Sequence, residues 1–414
     1  LPGYGFSQSP KGSKKLPSTW NENPTRPQIP SPPRTKPIVI KNSEVLHLKP
    51  IALLIPTLCG GGAERVVSRL TQILSQKYQV HLILFDVSRI GYQYSGTMID
   101  LKIPTQCHPL IQLYFIKNRL KLLVSIKKEL GIQATISFLE PANLMNLLAP
   151  ADDRIILSIR NYKSAENNHS LANKLYTPII KHLYNRADKI TTVSKVAGED
   201  MVNTYQIHRD KISVIYNPYD PDEIAQLAAQ PQATQIAEFM ADHKVMISAG
   251  RLEYQKGHWH LIKAFSRIKE KEPQARLLIL GTGKLEPALR KLAHSCGVGN
   301  DVLIPGFVKN PFPYLAQARL YTMSSLFEGF PNALVEAMAC GLPVVSTDCN
   351  SGPREILYET PDFSTRAYKI ELADYGILVP EFDPKLNWNP NQIEEQEHFL
   401  AEASLMLLRD PSLH

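Results

Sequence analysis

Short apolar runs alternate with amphipathic stretches from about residue 50 onward. In the first half, apolar runs that predict buried strands occupy 51–56, 80–85, 134–138, 154–159, 189–194 and 211–218. Stretches with helical periodicity lie between them, at 63–76 and 117–130. Because strands that alternate with helices form a parallel sheet covered on both faces, this half predicts a doubly wound α/β domain.

The same alternation restarts after a polar segment, 219–243, which we predict to be a loop. The later apolar runs occupy 245–250, 276–281, 302–306, 318–324, 343–347 and 376–380. Residues 359–375 interrupt them and are predicted to be an insertion loop. The fold class is therefore α/β, with two Rossmann-like domains facing across a cleft. Ligands of such sheets bind beyond the carboxyl ends of the strands, so we expect the chemistry in those loops.

The chain has 414 residues, which is enough for two hydrophobic cores. We predict a leader at 1–48, a first domain at 49–218, a second domain at 219–390 and a C-terminal helix at 391–414 that is truncated. The leader has nine prolines before Lys41, a composition that favours an extended or disordered chain. It is either a solvated segment or one that binds an anionic surface or a partner.

Charge and cysteine content narrow the class of protein. The net charge is +7, but residues 1–40 hold six Lys and Arg against one Glu, so no folded basic face for nucleic acid is expected. The five cysteines are scattered without metal-ligand spacing, which is typical of a reduced, intracellular protein. No apolar run approaches the ~18–20 residues that span a bilayer. These features predict a cytoplasmic protein.

A glycine loop follows the strand at 51–56 and is the first candidate site. In TLCGGGAERVV, Gly60, Gly61 and Gly62 precede a predicted helix. Bare N–H groups at a helix N-terminus favour a phosphate, and glycine permits its close approach. Arg65 stands where a dinucleotide fingerprint would have a third glycine. The loop is therefore either a phosphate site or a tight turn between strand and helix.

Two cations follow the strand at 245–250. Arg251 and Lys256 are five residues apart in a predicted loop, so both side chains can converge on one point. Arg forks onto two oxygens and Lys supplies a compact charge, a combination that suits a diphosphate. A solvated surface pair is the alternative.

Two glutamates flank the start of a helix in FEGFPNALVEAMACG, residues 327–341. Glu328 lies in a bend, Pro331 fits the first helical turn, and Glu336 lies about one turn inside. Backbone N–H groups of residues 330–334 lie between the two carboxylates, which suits a ligand with both hydroxyls and phosphate. Favourable placement in the helix dipole is an alternative explanation for Glu336, but it does not explain Glu328.

Other strand-end loops carry weaker signals. Backbone at Gly306, Phe307 and Val308 is either a nucleobase contact or a plain turn. The only DxD motif is Asp220-Pro221-Asp222, where proline suits a turn better than a metal site. We therefore expect no obligatory metal, with Arg251, Lys256 and a helix dipole neutralising a diphosphate instead.

Together these segments resemble the family 4 retaining glycosyltransferases of the GT-B fold over roughly residues 50–414. GGGAERVV is similar to the glycine loop of their first domain, AGRLEYQKG to their phosphate clamp, and EGFPNALVEAMACGLPVVSTDCNSGPREIL to their two-glutamate motif. The resemblance implies transfer from a nucleotide sugar, a UDP-sugar by family frequency, to a glycan or lipid-linked acceptor in cell-surface polysaccharide synthesis. It also implies that the first domain takes the acceptor and the second takes the nucleotide sugar.

The resemblance also implies residue roles. Arg251 and Lys256 would bind the diphosphate, Glu336 the ribose hydroxyls, and Glu328 the hydroxyls of the transferred sugar. The expected donor-binding residues are Gly61, Gly62, Arg251, Lys256, Glu328, Gly329, Phe330, Pro331, Asn332, Leu334 and Glu336. Catalysis is expected from Arg251, Lys256 and Glu328 without an enzymic nucleophile. The nucleotide sugar is a co-substrate, and no cofactor is expected.

Such enzymes often have a His or an acidic residue near the acceptor in a loop of the first domain. The candidates in this sequence are Glu140, Arg160, Asn161 and His169. We predict Arg160 and Asn161 as the acceptor-side residues, although both also suit a structural role.

The predicted helix 117–130 is basic on one side. It contains Lys117, Arg119, Lys121, Lys127 and Lys128, with Leu120, Leu123, Val124 and Leu130 as its apolar residues. It either docks on anionic lipid or is an ordinary amphipathic helix against the sheet. In the first case the enzyme is peripheral on the inner face of the cell membrane.

Two other functions are compatible with this architecture. A nucleotide-sugar epimerase shares the two domains but fits the Glu328 and Glu336 pattern less well. A non-catalytic subunit that binds a sugar nucleotide or a partner would not need to keep Arg251, Lys256 and both glutamates.

Overall fold

The computed structural model describes residues 48–88, 90–102, 109–164 and 171–410. All but the last residue of the predicted leader 1–48 lie outside these ranges, as do Cys107 and the acceptor-side candidate His169. Of the four cysteines described, Cys349 is buried and Cys59 is exposed.

Seven strands form the first sheet of the described chain, and all its pairs are parallel in the spatial order β3-β2-β1-β4-β5-β6-β7. The strands are β1 (Pro50–Ile55), β2 (Gln79–Leu84), β3 (Thr97–Asp100), β4 (Ala134–Phe138), β5 (Arg154–Ile159), β6 (Lys189–Thr192) and β7 (Ile212–Val214). The covering helices are α1 (Gly62–Leu74), α2 (Pro109–Glu129), α3 (Glu140–Leu148), α4 (Leu171–Tyr184) and α5 (Lys195–Asn203). The predicted doubly wound domain is confirmed.

The second sheet has the order β10-β9-β8-β11-β12-β14-β13 within the described residues. Its strands are β8 (Lys244–Ala249), β9 (Ala275–Leu280), β10 (Val302–Gly306), β11 (Leu320–Met323), β12 (Val344–Thr347), β13 (Glu371–Ala373) and β14 (Gly376–Val379). Its helices are α6 (Pro221–Ala228), α7 (Thr234–Met240), α8 (His258–Lys271), α9 (Glu286–Ser295), α10 (Phe312–Gln317), α11 (Asn332–Ala339), α12 (Pro353–Leu357) and α13 (Glu395–Arg409).

Both sheets reverse their strand order at one point, between β1 and β4 in the first and between β8 and β11 in the second. At such a switch point the neighbouring loops separate and leave a crevice beyond the carboxyl ends of the strands. The loops after β1, β8 and β11 are the ones in which the sequence places the glycine loop, the two cations and Glu328. The topology therefore puts the predicted chemistry at the crevices of both sheets.

Two segments that were predicted to be loops contain regular structure. Residues 219–243 hold α6 and α7, and the Asp220 side chain caps α6 by accepting hydrogen bonds from the N–H groups of Asp222 at 3.1 Å and Glu223 at 3.2 Å. Asp at the N-cap with Pro221 after it is a helix start signal, so the turn interpretation of this DxD motif was wrong. Residues 359–375 contain β13, which pairs antiparallel with β14 at the sheet edge. Its short sequence, ELA, has no apolar run to reveal it.

A charged cluster attaches the C-terminal helix α13 to α8. Glu397 contacts Lys263 Nζ and His260 Nδ1, both at 2.7 Å, and all three side chains are buried. Glu394 lies beside them, so His260 and two carboxylates have the arrangement of a cation site. The Lys263 ammonium already supplies a positive charge there. The cluster fixes α8, which begins two residues after Lys256.

Some of the α2 residues that the sequence suggested could contact a membrane are buried in the structure. Lys127 is buried and forms an ion pair with Asp153 at 3.0 Å, while Asn146 Oδ1 accepts a further hydrogen bond from it at 2.8 Å. Leu123 is fully buried, and Leu120 and Val124 pack against the same core. These three residues therefore face the core of the first domain, as in an ordinary amphipathic helix. No helix in the described ranges is both long and apolar enough to cross a bilayer.

Candidate active site

The glycine loop of the first domain faces helix α11 of the second. A Cβ added to Gly62 would lie 3.3 Å from the side-chain amide nitrogen of Asn332, and one on Gly60 would lie 4.0 Å from the Phe307 ring. Gly60 has a φ of +77°, which an L side chain rarely adopts. Because small residues line this side, the loop approaches the second domain closely. Gly62 thus lies close to the second domain, and donor binding by Gly61 and Gly62 stays a prediction.

Lys256 and Glu328 contact each other directly. Their Nζ and Oε1 atoms are 2.6 Å apart, and Glu328 is buried. Ser325 Oγ donates a second hydrogen bond to the same carboxylate oxygen at 2.7 Å. Ser324 Oγ in turn donates to the Lys256 carbonyl at 2.9 Å, which joins the two loops. The sequence assigned the cation and the carboxylate to different parts of a ligand, and the structure brings them together as an ion pair.

Glu336 is held from the opposite domain by Arg65. Arg65 Nη1 lies 2.8 Å from Glu336 Oε1, and the guanidinium carbon lies 5.2 Å from the centre of the Phe312 ring. Burial raises the pKa of the Glu336 carboxyl, while the nearby Arg65 charge and its hydrogen bond lower it in part. Sequence reasoning missed this role, since it used Arg65 only to exclude a dinucleotide fingerprint. The available signal was a cation in the first turn of the helix that follows the glycine loop.

Arg251 is exposed at the mouth of the cleft. Its guanidinium lies 3.4 Å from Gln255 Oε1. Burial raises the pKa of Glu64, and the positive charge of Arg251 lowers it by less. Arg251 therefore acts electrostatically on the first turn of α1, and its exposed side chain remains accessible to an anion.

The loop that carries Glu328 is wedged against the first domain. A Cβ on Gly329 would overlap the carbonyl oxygen of Arg160 and would lie 2.9 Å from Asn161 Cα. The N–H of Tyr162 donates to the Glu328 carbonyl at 3.3 Å. The two residues predicted on the acceptor side, Arg160 and Asn161, therefore lie beside the expected sugar position.

Arg160 also contacts the segment that joins the domains. Its Nη2 donates to Asn217 Oδ1 at 2.6 Å. Burial lowers the pKa of Arg160 to about 10, and Tyr219 opposes this shift. The side-chain amide of Asn217 donates a hydrogen bond to Asn332 Oδ1. The same oxygen also accepts a hydrogen bond from the Tyr219 hydroxyl at 2.8 Å. Asn332 is thus tied to the interdomain segment at the start of α11.

Residues of both domains contact the loop that carries Glu328. Ser351 Oγ donates to the Gly329 carbonyl at 2.7 Å and lies 2.7 Å from Ser194 Oγ of the first domain. The rings of Phe330 and Tyr216 have centroids 5.4 Å apart. Contacts from both domains therefore define the shape of this loop.

The remaining predicted residues differ in exposure. Leu334 is fully buried in the core, and its N–H donates to the Pro331 carbonyl at 3.1 Å, so it offers packing rather than a free donor. Pro331 is the N-cap of α11 and not a residue of its first turn. Gly306 has a φ of +93°, and Phe307 beside it is 55% exposed, which leaves an aromatic face open at the cleft.

Comparison with known sequences identifies the family. Residues 60–223 match the sequence model of Glycosyltransferase Family 4, and residues 230–362 match that of Glycosyl transferases group 1. The chain is 33% identical over 303 residues to a glycosyltransferase of Methanocaldococcus jannaschii, which covers 71% of this chain and 74% of the relative. The chain belongs to the family 4 glycosyltransferases. The predicted family and the assignment as a transferase enzyme are confirmed.

A second relative has a more specific name. Over 322 residues the chain is 34% identical to the N-acetylgalactosamine-N,N'-diacetylbacillosaminyl-diphospho-undecaprenol 4-alpha-N-acetylgalactosaminyltransferase of Campylobacter jejuni. The match covers 75% of this chain and 83% of that enzyme. It spans most of both sequences and agrees with the family assignment.

Solved structures support the fold. HepE of Anabaena, in complex with UDP and glucose, has a TM-score of 0.65 at 19% identity, over 88% of this chain and 91% of that one. Sucrose-phosphate synthase of Thermosynechococcus elongatus has a TM-score of 0.68 at 18% identity, with the same coverage. The GT-B fold predicted for this family 4 enzyme is confirmed.

The close approach at Gly329 generates a prediction. Gly329→Ala should destabilise the protein by about 1–3 kcal/mol, because the added carbon overlaps a backbone carbonyl that cannot rotate away. Gly62→Ala is the matched control, since its added carbon meets the end of a side chain at 3.3 Å. Thermal unfolding should show a lower midpoint for Gly329→Ala than for Gly62→Ala. Equal midpoints would contradict the described contact between the domains.

Proposed function

We propose that this chain is a retaining glycosyltransferase that moves a sugar from a nucleotide-sugar donor, a UDP-sugar, to a glycan or lipid-linked acceptor in cell-surface polysaccharide biosynthesis. The observation that carries the proposal is the pairing of Lys256 with Glu328 at 2.6 Å. The name of the Campylobacter jejuni relative places a lipid diphosphate in its acceptor, and HepE is bound to UDP and glucose. Both support this choice of donor and acceptor.

The charges of the cleft suit a diphosphate leaving group. Lys256 and Arg251 would hold its oxygens and offset the negative charge that develops when the sugar leaves. Lys256 would exchange the Glu328 carboxylate for phosphate oxygens. Glu328 would then be free to accept hydrogen bonds from hydroxyls of the sugar, with the Gly329 backbone beside it. Donor binding would therefore separate the ion pair between Lys256 and Glu328, and each of the two side chains would then contact the donor.

The rest of the donor would lie along α11. Glu336 would accept hydrogen bonds from the ribose hydroxyls, and backbone at Gly306 with the exposed Phe307 would contact the base. The acceptor would approach from the side of Arg160 and Asn161 and attack on the face that the diphosphate leaves, which retains the anomeric configuration. No side chain is assigned as a nucleophile, and positioning and charge stabilisation would supply the rate. We also propose that no metal ion or other cofactor is required.

Truncation of the proposed donor contacts tests this function. Lys256→Ala and Glu336→Ala should each lower the rate of sugar transfer or donor hydrolysis by about tenfold to a hundredfold, since each removes a charged hydrogen bond of roughly 1.5–3 kcal/mol. The rates would be measured on UDP-, GDP- and ADP-sugars, with EDTA present or absent. EDTA should leave the rate unchanged.

The matched controls are Lys291→Ala and Glu402→Ala, which remove exposed charges from α9 and α13. Both should keep the rate of the unmodified enzyme. Unchanged turnover in Lys256→Ala and Glu336→Ala would overturn the site assignment, and loss of activity in EDTA would overturn the metal-independent mechanism.

We further propose that α2 places the enzyme on the anionic inner face of the cell membrane. Lys117, Lys121 and Lys128 are exposed on it, whereas Leu123 is buried and Leu120 and Val124 pack against the core. Lipid contact through charge alone is worth about 1 kcal/mol per basic residue and is screened by salt. This mode of binding is reversible and fits a lipid-linked acceptor.

Binding to vesicles checks the membrane proposal. The full chain should co-sediment with anionic liposomes at low salt and should be released at high salt. Replacing Lys117 and Lys121 by Glu should lower the bound fraction, whereas Lys77→Glu, an exposed change beyond α1, should not. Equal binding to neutral and anionic vesicles, or no effect of the α2 changes, would contradict the proposal.

A further inference from the structure

Arg65 is a side chain of the first domain that reaches into the donor side of the second. It lies in the first turn of α1, directly after the glycine loop. Its guanidinium contacts Glu336 of α11 at 2.8 Å and lies over the Phe312 ring of α10. A cation–π contact with the ring and a charged hydrogen bond to the carboxylate together restrict the orientation of the guanidinium. This is a defined contact and not a loose surface ion pair.

Glu336 depends on a partner because it is buried. Its side chain is 9% exposed, against 37% for that of Arg65. Transfer of a carboxylate out of water is unfavourable unless a cation or a donor compensates. Several titratable groups face Glu336 from the elements around it. They are Arg65 and Arg69 of α1, Tyr92 after β2, Tyr219 of the interdomain segment, Tyr321 of β11 and Cys340 at the end of α11.

Only the two arginines in this set carry positive charge. Arg69 is engaged elsewhere, since its Nη2 lies 2.6 Å from Glu223. Burial raises the pKa values of the tyrosines and of Cys340, and Glu336 raises them further, so these groups are neutral near pH 7. Arg65 is therefore the main compensating charge for Glu336 within the described residues.

The two oxygens of Glu336 have different surroundings. Oε1 accepts the hydrogen bond from Arg65. In the part of the chain that the structure describes, no donor is within hydrogen-bond distance of Oε2. When one oxygen of a carboxylate is held in this way, the second oxygen has a fixed direction and can accept a hydrogen bond from a ligand hydroxyl.

We propose that Arg65 is a positioning residue for ribose recognition, because it fixes one oxygen of Glu336 across the cleft and leaves the other to accept from a ribose hydroxyl. The inference rests on the proposed function, in which Glu336 receives the ribose. The nucleotide site then contains residues of both domains. Glu336 of α11 accepts the hydrogen bond from the ribose, and Arg65 of α1 keeps the Glu336 carboxylate charged and oriented.

The consequence is a pH dependence that becomes stronger when Arg65 is removed. Burial already raises the pKa of Glu336, and Arg65 opposes that shift. In Arg65→Gln the opposing charge is absent, so the pKa rises further. Affinity that requires the ionised carboxylate is then retained above the raised pKa and lost as the pH falls through it. Below that pKa the affinity should fall by about tenfold per pH unit.

Calorimetric titration of the full chain tests this inference. UDP, GDP and ADP would each be titrated into the unmodified protein, and the nucleotide that binds would be followed from about pH 5.5 to about pH 8.5, a window above the usual glutamate pKa of about 4.3. In Arg65→Gln, affinity should weaken from the alkaline end to the acid end by a larger factor than in the unmodified protein. Arg65→Lys should restore much of the pH profile of the unmodified protein, because it returns the positive charge.

Two controls separate positioning from folding. Arg69→Gln removes an arginine one turn along the same helix whose charge lowers the Glu336 pKa less than that of Arg65, so its profile should change less than that of Arg65→Gln. A 2′,3′-dideoxy form of the same nucleotide lacks the hydroxyls that Glu336 would bind, so Arg65→Gln should change its affinity little at any pH. A purely structural role for Arg65 would weaken both nucleotides equally and at every pH, and that result would overturn the inference.

Glu336→Gln distinguishes this inference from the proposed function. Its affinity should be weaker than that of the unmodified protein, and adding Arg65→Gln to it should change nothing further at any pH. If Glu336→Gln binds the nucleotide normally, or if no nucleotide binds the unmodified protein, the proposed function fails. If Glu336→Gln binds the nucleotide weakly but Arg65→Gln keeps the pH profile of the unmodified protein, only the inference about Arg65 fails.

Discussion

Two carboxylates buried in the cleft need positive charge close by, and this requirement organises the whole site. Glu328 and Glu336 are 5% and 7% exposed, and an isolated charge at such positions is strongly unfavourable. Each is compensated by a cation from another loop, Lys256 for the first and Arg65 for the second. Because the partners come from different strands and domains, the pairs hold together the three loops that a nucleotide sugar would contact. A ligand with phosphate and hydroxyl groups can replace the same interactions.

The position of the domains follows from close backbone contact as well as from charge. Gly329 lies against the Arg160 carbonyl, where a side chain would not fit. Ser351 and Ser194 continue that contact toward α5. The loop that carries Glu328 is therefore shaped by both domains, although its sequence belongs to one. The proposed retaining transfer depends on accurate placement of donor and acceptor, and a loop held in this way would supply it.

Most of the fold could be predicted from the sequence, whereas the partners within the site could not. Strand 51–56 was expected and β1 is observed at Pro50–Ile55, because a buried parallel strand needs a continuous apolar run. β13 was missed because an edge strand of three residues carries no such run. Lys256, Glu328 and Glu336 were identified from local spacing. The contact of Arg65 with Glu336 joins residues 271 positions apart, and only the packing of two domains creates it.

The central claim is that the cations of the second domain hold a diphosphate while the buried glutamates hold sugar and ribose hydroxyls. A crystal structure of the chain with UDP bound would test it most directly. The account predicts diphosphate oxygens within hydrogen-bond distance of Lys256 and Arg251, ribose hydroxyls on Glu336, and Glu328 separated from Lys256. UDP bound elsewhere, with the ion pair between Lys256 and Glu328 intact, would contradict it.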